Sequence, residues 1–329
     1  MIKKNDRKII NAWAFYDWAN SAYPLVITTA IFPIFFAKKA KHFTELVDGK
    51  EVDYVNFFGF QFINTELYSY VFSLSFLIVS FLSPLLSGVA DFAGRKKLFL
   101  QLFCYIGALG CGLLYFFDAN YLELSMAFVL MASIGFWASL VFYNAYLPEI
   151  ASPDKQDKVS AKGFALGYIG SSILLIANLI LIQTETMPAK WAFVTVAIWW
   201  AGFAQYTYSV IPSNIYDRKP VKRDLFAKGF HELKKVWGEL GELKNRNLRS
   251  FLRSFFVYSM GVQTVMLMAV LFAKKEIDWG EQGDSGLIIS VLIIQFIAVF
   301  GAYLFASMSK KFGNKLVLAL ALIIWVIIC

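Results

Sequence analysis

A chain of 329 residues that is 58% hydrophobic, 18% aromatic and only 16% charged is not an ordinary soluble domain, where about 45–50% apolar and about 25% charged residues are usual. A net charge of +8 would suit a nucleic-acid partner, but its distribution excludes one, because the cations sit in the breaks between long apolar runs. Of the 31 Lys and Arg, 24 fall on one set of alternate breaks and 7 on the other, the asymmetry that sets a membrane protein with its basic loops, and here its N-terminus, in the cytoplasm.

Apolar stretches of about 20 residues match a hydrocarbon slab roughly 30 Å thick at 1.5 Å rise per residue. Eight are present, at 11–36, 67–90, 98–117, 124–147, 164–183, 191–212, 254–273 and 285–309, and a ninth begins near Leu316 and runs to Cys329. Lipid offers no water to an open strand edge, so these are helices, and the fold class is an all-α membrane protein.

The first span is too long for a signal-peptide core and no small-residue cleavage site follows it. From Asn11 to Phe36 it has 26 residues, and Asp17 is their only formal charge. At about 100° per residue, Trp13, Asn20, Ser21, Pro24 and Thr28 all fall on the Asp17 side. A charge facing lipid at mid-span costs on the order of 2.5–3.5 kcal/mol. A stripe of polar partners on the same side therefore predicts an inward-facing site, hydrated or hydrogen-bonded, that binds substrate or a proton. The alternative is a structural carboxylate bonded to a neighbouring helix. Pro24 and Pro33 are expected to bend this helix or loosen its hydrogen bonding.

Residues 38–65 form the longest loop on the outer side, and the pair Asp48-Gly49 predicts a type I′ hairpin turn there. After the second span comes SGVADFAGRKK, residues 87–97. Gly94 lets the chain reverse, Arg95 and Lys96 hold the loop at the inner surface, and Asp91 can accept hydrogen bonds or cap a helix. An ordinary positive-inside hairpin accounts for the same residues. Glu149 ends the fourth span at the level of Arg95, and an ion pair between the two is expected to latch one conformation. The polar residues Asn144, Asn178, Gln205, Gln263 and Gln295 either line a cavity or bond helix to helix. Asn144 and Gln263 join Asp17, Asn20, Ser21 and Thr28 as candidate contacts for substrate or proton. Gly163, Gly167 and Gly170 follow a small-xxx-small pattern that predicts close helix packing.

Residues 213–249 carry ten cations. Phe226, Phe230, Leu233, Trp237, Leu240 and Leu243 recur there at helical spacing. The segment reads as an amphipathic helix on the inner membrane surface or against the bundle ends, or as a solvated linker helix. The organisation that follows is a six-helix bundle over 1–212, a connector over 213–249, and over 250–329 the start of a second bundle with two full spans and part of a third. Six spans, a basic connector and further spans is the layout of a two-half transporter.

The loop Asp91-x-x-Gly94-Arg95-Lys96 resembles the signature loop of the major facilitator superfamily, Gly-x-x-x-Asp-x-x-Gly-Arg-Lys, with Ser87 at the leading glycine position and Gly88 displaced by one. ASMSKKFGNK, residues 306–315, looks like its degenerate copy, matching at Gly313 and Lys315 with Lys310 in the acid position. More narrowly, YDWANSAY (16–23), YNAYLPEIA (143–151) and DKVSAKGFALGYIGS (157–171) resemble the bacterial relatives of the autophagy-linked vacuolar effluxer of fungi. The resemblance implies a major-facilitator-type bundle, complete in its six-helix first half and truncated in its second. About three more spans would complete the plan, so the chain is expected to be incomplete at Cys329. It further implies a secondary transporter of the bacterial inner membrane that moves a small solute by alternating access, amino-acid efflux being the fungal role. Asp91, Gly94, Arg95, Lys96 and Glu149 would then form the gate, and Asp17 would carry a proton or meet a cationic group of the solute.

Two other classes compete. A membrane-embedded lipid-modifying enzyme needs a catalytic or metal-binding cluster. His42 and His231 fall in loops on opposite sides and no carboxylate pair lies in a span, so no metal or cofactor is expected. Cys104, Cys111 and Cys329 lie in apolar spans and give no disulfide framework. A non-transporting sensor or scaffold with a transporter-like body is the remaining class. The partners expected are a small solute and membrane lipid, with proton coupling and without nucleic acid.

Overall fold

The computed structural model describes residues 4–47, 50–93, 95–213, 234–235, 238–242, 246–277, 279 and 284–328. Helix α1 (Arg7–Asn20) starts where Asp6 accepts the backbone N–H groups of Lys8 and Ile9 at 2.8 and 3.2 Å, satisfying donors that a first turn leaves without partners. It runs on through a π-helical stretch, Tyr23–Ala30, into α2 (Ile31–Lys39), so that one span reaches from Arg7 to Lys39. Pro24 lies at the start of the π stretch. It has no N–H to give, which interrupts the α-helical ladder, and the bonding slips by one residue: Ile31 N–H donates to Val26 O.

The loop over 38–65 folds into an antiparallel sheet of β1 (Phe43–Val47), β2 (Lys50–Phe57) and β3 (Phe60–Ile63), in that order. Val47 opposes Lys50, the register of a two-residue hairpin; Asp48 and Gly49 themselves lie outside the described residues. The second hairpin is one that sequence reasoning does not anticipate. Phe58 and Gly59 take φ of 49° and 81°, the double positive φ of a type I′ turn. Phe58 is held there because its N–H donates to Glu123 Oε1 at 2.9 Å. His42 pins the sheet to the bundle: its Nδ1 accepts from Asn56 N–H at 2.8 Å and its Nε2 lies 3.0 Å from Ala119 O.

The remaining helices are α3 (Asn64–Ala93), α4 (Lys96–Leu113), α5 (Leu122–Ile150), α6 (Pro153–Gln183), α7 (Trp191–Val210), α8 (Arg246–Glu276), α9 (Asp284–Phe312) and α10 (Asn314–Ile328). Among the described residues, 7 helices are long and apolar enough to cross a membrane. Helix α7 is not among them although its 20 residues rise about 30 Å; three tryptophans, two tyrosines and Gln205 lower its hydropathy. Helix α10 has 15 residues. The chain is thus a helical membrane bundle with a small three-stranded sheet at one end. Of the expected amphipathic connector, Phe226, Phe230, Leu233, Trp237 and Leu243 lie outside the described residues, and Leu240 is half-buried.

The core of the first six spans is aromatic: Trp13, Trp200, Phe32, Phe142 and Phe193 are buried. Helices α4 and α5 touch through Gly107 and Gly135, and the Trp200 ring from α7 covers Gly107 so closely that a Cβ would strike it. Lys97 Nζ donates to Ile211 O at 3.0 Å, closing the end of α7 with a cation, as a helix C-terminus favours. Cys104 and Cys111 are buried and free.

Candidate functional site

Asp17 sits in the last turn of α1, and α5 and α6 determine what surrounds it. Its Oδ2 accepts a hydrogen bond from the Tyr143 hydroxyl at 2.8 Å. Tyr143 is fixed from two further directions. Its ring stacks on Trp13 at 4.3 Å between centroids and 6° between planes, and its carbonyl accepts from Trp13 Nε1 at 2.9 Å. Trp13 and Asp17 are four apart on one helix face, so α1 grips Tyr143 by ring, carbonyl and hydroxyl together. Tyr16 packs on the same ring at 5.1 Å.

Helix α6 closes the other side with its glycines. A Cβ at Gly163 would run into Asp17 Oδ2, one at Gly167 into Ser21 Oγ, and one at Gly170 into the Trp18 ring. The small-residue pattern therefore serves the packing that the sequence predicts, and the surface it packs against is the acidic face of α1. Lys162 extends the contact by donating to Asn11 Oδ1 at 2.6 Å. The Asp17 carboxylate is 7% exposed, within a niche that one tyrosine and one glycine complete.

The other sequence candidates divide by location. Asn20 is 1% exposed; its Oδ1 is 3.4 Å from Ser21 Oγ, and its Nδ2 is buried with no partner among the described residues. Thr28 Oγ1 donates to Pro24 O at 2.7 Å within the π stretch, and its carbonyl accepts from Tyr68 OH at 3.2 Å. Gln263 lies apart from the Asp17 niche. It lines a cavity of about 480 Å³ between α3, α5 and α8, with Ser69, Ser73, Trp137, Ser259 and Thr264. Asn144 is exposed, two turns along α5 from Trp137 and on the same side of the helix. The structure thus brings Asp17, Asn20 and Ser21 together and leaves Asn144 and Gln263 on another face of the bundle.

At the loop between α3 and α4 the ion pair differs from the one expected. Glu149 Oε1 is 2.6 Å from Lys96 Nζ, whereas Arg95 is exposed. Arg95 precedes the helix with φ −115° and ψ 36°, and Lys96 is the first residue of α4, so it is Lys96 whose side chain is directed along the helix face toward α5. The side chain of Asp91 and the whole of Gly94 lie outside the described residues. In the degenerate copy, Gly313 makes the turn at φ 83°, and Ser309 Oγ donates to Asp157 Oδ2 on α6 at 2.7 Å.

Tyr143 is the neighbour of Asp17 that sequence reasoning missed; that reasoning places Trp13 on the Asp17 side and Gly163 in a close helix contact, without the carboxylate that Gly163 faces. Tyr143 carries a weak signal, a tyrosine beside an asparagine in an apolar span, but which helix faces Asp17 is a tertiary fact.

Comparison with known proteins follows the same lines. Residues 5–329 match the family model described as vacuole effluxer Atg22-like. The chain is 30% identical over 330 residues to the uncharacterized MFS-type transporter YxiO of Bacillus subtilis, covering 97% of this chain and 72% of that protein. It is 25% identical over 322 residues to autophagy-related protein 22 of Coccidioides immitis, covering 77% of this chain and 52% of that protein. It is 24% identical over 332 residues to autophagy-related protein 22-1 of Penicillium rubens, with 77% and 55% covered. The chain spans about half the length of these fungal relatives. Among solved structures, a partially occluded inward-open form of the xylose transporter XylE from E. coli aligns over 94% of this chain and 72% of that one, at 14% identity and a TM-score of 0.41.

Proposed function

The chain belongs to the Atg22-like vacuole effluxer family and to the MFS-type transporters, and on that premise we propose that it carries a small solute through the membrane by alternating access, with Asp17 as the group that takes up a proton or a cationic part of the solute. It is a multi-pass membrane transporter by family, not an enzyme. Amino acids are the solute class we favour, with export as the direction, because the family is described by the efflux of its vacuolar members. The bundle 1–212, the connector 213–249 and the segment 250–329 form the two halves and their link, with the N-terminus on the cytoplasmic side of a bacterial inner membrane.

The observation that carries this reading is the Asp17 niche. A carboxylate 7% exposed in a lipid-spanning helix is held by one neutral donor, Tyr143, at 2.8 Å, and no cation pairs with it among the described residues. A buried carboxylate that served only stability would be better matched by a fixed cation. One hydrogen-bonding tyrosine leaves room for a mobile positive charge, and the π stretch that follows supplies a helix segment of the kind found at functional sites. Gln263 and the cavity it lines, with Asn144 exposed two turns along α5 from Trp137, offer solute contacts on the side where the two halves meet. The Lys96–Glu149 pair, with Arg95, Asp91 and Gly94, provides the inner gate.

Reconstituted vesicles under a pH gradient, assayed with a panel of radiolabelled amino acids, test the proposal. The Asp17→Asn variant is expected to insert and fold, as read by circular dichroism, and to lose gradient-driven flux. Undiminished flux in that variant would remove Asp17 from the mechanism.

A further inference from the structure

At the end of the bundle that carries the N-terminus lies a cleft of about 370 Å³ whose lining does not include Asp17. Its walls come from three helices. Arg7 and Asn11 stand one turn apart on α1; Lys155, Lys158 and Lys162 follow one face of α6 at spacings of three and four; Tyr303 closes it from α9. Two helix faces thus turn four cations toward one hollow, and among the described lining residues there is no carboxylate. Like charges gathered this way attract an anion, with Asp154 beside Lys155 outside the lining. Asp157, on the same turns of α6, is turned to Ser309 at 2.7 Å. Lys162 spends one of its three N–H donors on Asn11 at 2.6 Å, which fixes the floor.

The hollow is pre-shaped. Asn5, which contributes to its rim, adopts φ 67° and ties the chain start to the α5–α6 turn, with its N–H on Ile150 O at 2.8 Å and its Oδ1 accepting from Ser152 N–H at 3.1 Å. Arg7, Lys155 and Lys158 are exposed at the mouth while Val159 is buried at the base. A guanidinium fork matches two oxygens of a tetrahedral anion, and lysines supply point charges around it. Basic pockets between helix ends at this depth face the head-group layer.

We propose that this cleft binds a phosphate group, as the head group of an anionic phospholipid or as a free phosphate, and that the bound anion holds α9 of the second half against α1 and α6 of the first. The proposal does not rest on the solute pathway, and it stands or falls without the Asp17 mechanism.

The full chain purified in detergent with phosphatidylcholine provides the assay. Its unfolding temperature is followed while dioctanoyl phosphatidylglycerol, or separately sodium phosphate, is titrated. A saturable rise is expected with the lipid. The variant R7Q/K155Q/K158Q is expected to need on the order of 100-fold more ligand for half-saturation, about fivefold per charge removed. The variant K41Q/K50Q/K275Q, which removes as many cations from the opposite side, is expected to titrate as the parent does. A rise with phosphate alone identifies the free anion as ligand, and a rise confined to the lipid identifies the head group. If the triple variant is not monodisperse, K158Q alone is expected to shift the midpoint about fivefold. No rise with either ligand overturns the proposal, as does a cleft variant that titrates like the parent or a control variant weakened as much as the cleft variant.

Discussion

Gly163→Ala puts one methyl group into the space held by the Asp17 carboxylate. The added Cβ would overlap Asp17 Oδ2 and come within 3.1 Å of Tyr143 OH and 3.4 Å of Asp17 Cγ. Those are its three nearest neighbours, so the strain falls first on the Asp17–Tyr143 hydrogen bond. Overpacking of this kind costs about 1–3 kcal/mol. Loss of a hydrogen bond to a charged group, if the carboxylate swings away, adds about 1.5–3 kcal/mol, and the helix regains about 1 kcal/mol from replacing glycine. The net expectation is a loss of about 1.5–5 kcal/mol, a drop in unfolding temperature on the order of 5 °C. Gly202 has nothing within 4 Å of its would-be Cβ, and Gly202→Ala is expected to be neutral or slightly stabilising. The discriminating measurement is a double-mutant cycle by thermal unfolding in detergent. With Asp17→Ala in place the methyl group has room, and Gly163→Ala should then cost less by at least about 1 kcal/mol. Equal costs in the two backgrounds would mean that Gly163 does not oppose the carboxylate.

Two further outcomes follow from the Lys96–Glu149 pair and the three-stranded sheet. Glu149→Lys is expected to destabilise the chain by about 3 kcal/mol, since its partner Lys96 and Glu149 are only 13% and 7% exposed and breaking a buried pair strands a charge; adding Lys96→Glu should restore most of the loss, while Arg95→Glu should not, and rescue by Arg95→Glu alone would refute the assignment of the pair. Phe58→Asn replaces a bulky side chain that is 70% exposed at φ 49° with the residue best suited to a type I′ turn before glycine, so limited proteolysis of residues 43–63 should slow by about threefold, roughly what 0.6 kcal/mol gives; faster cleavage would contradict the turn assignment.

The span pattern was readable because it depends on composition over some 20 residues, and each apolar run does become a helix. Its edges were less so. The first span extends from Arg7 to Lys39 rather than from 11 to 36, and α6 begins at Pro153, about three turns before its apolar run, because Lys155, Asp157 and Lys158 are held helical beyond the slab by neighbours that composition does not reveal. Prolines 24 and 33 flagged a disturbed helix but not the π form it takes. Phe58-Gly59 carried no turn signal, since a phenylalanine at positive φ is accepted only because Glu123 receives its N–H. The oddity of Asp17 was plain in one dimension. Tyr143 and Gly163 were not, because nothing local relates residue 17 to residues 126 and 146 positions further on; the helical periodicity gives the direction of the carboxylate but not the helix that meets it. Glu149 was matched to the wrong neighbour for a related reason: Arg95 and Lys96 are equivalent by depth, and only the start of α4 distinguishes them.

The widened winding of Tyr23–Ala30 has a mechanical corollary. Eight residues held at five-residue spacing take up more chain per revolution than the same eight wound as an ordinary helix, so tightening them twists whatever lies below about its own long axis. The portion below ends in the acidic side chain that now rests in a glycine recess. A screw motion of that kind would turn that side chain toward a different wall, and Pro24, having no amide hydrogen to surrender, would lose no bond of its own in the rewinding.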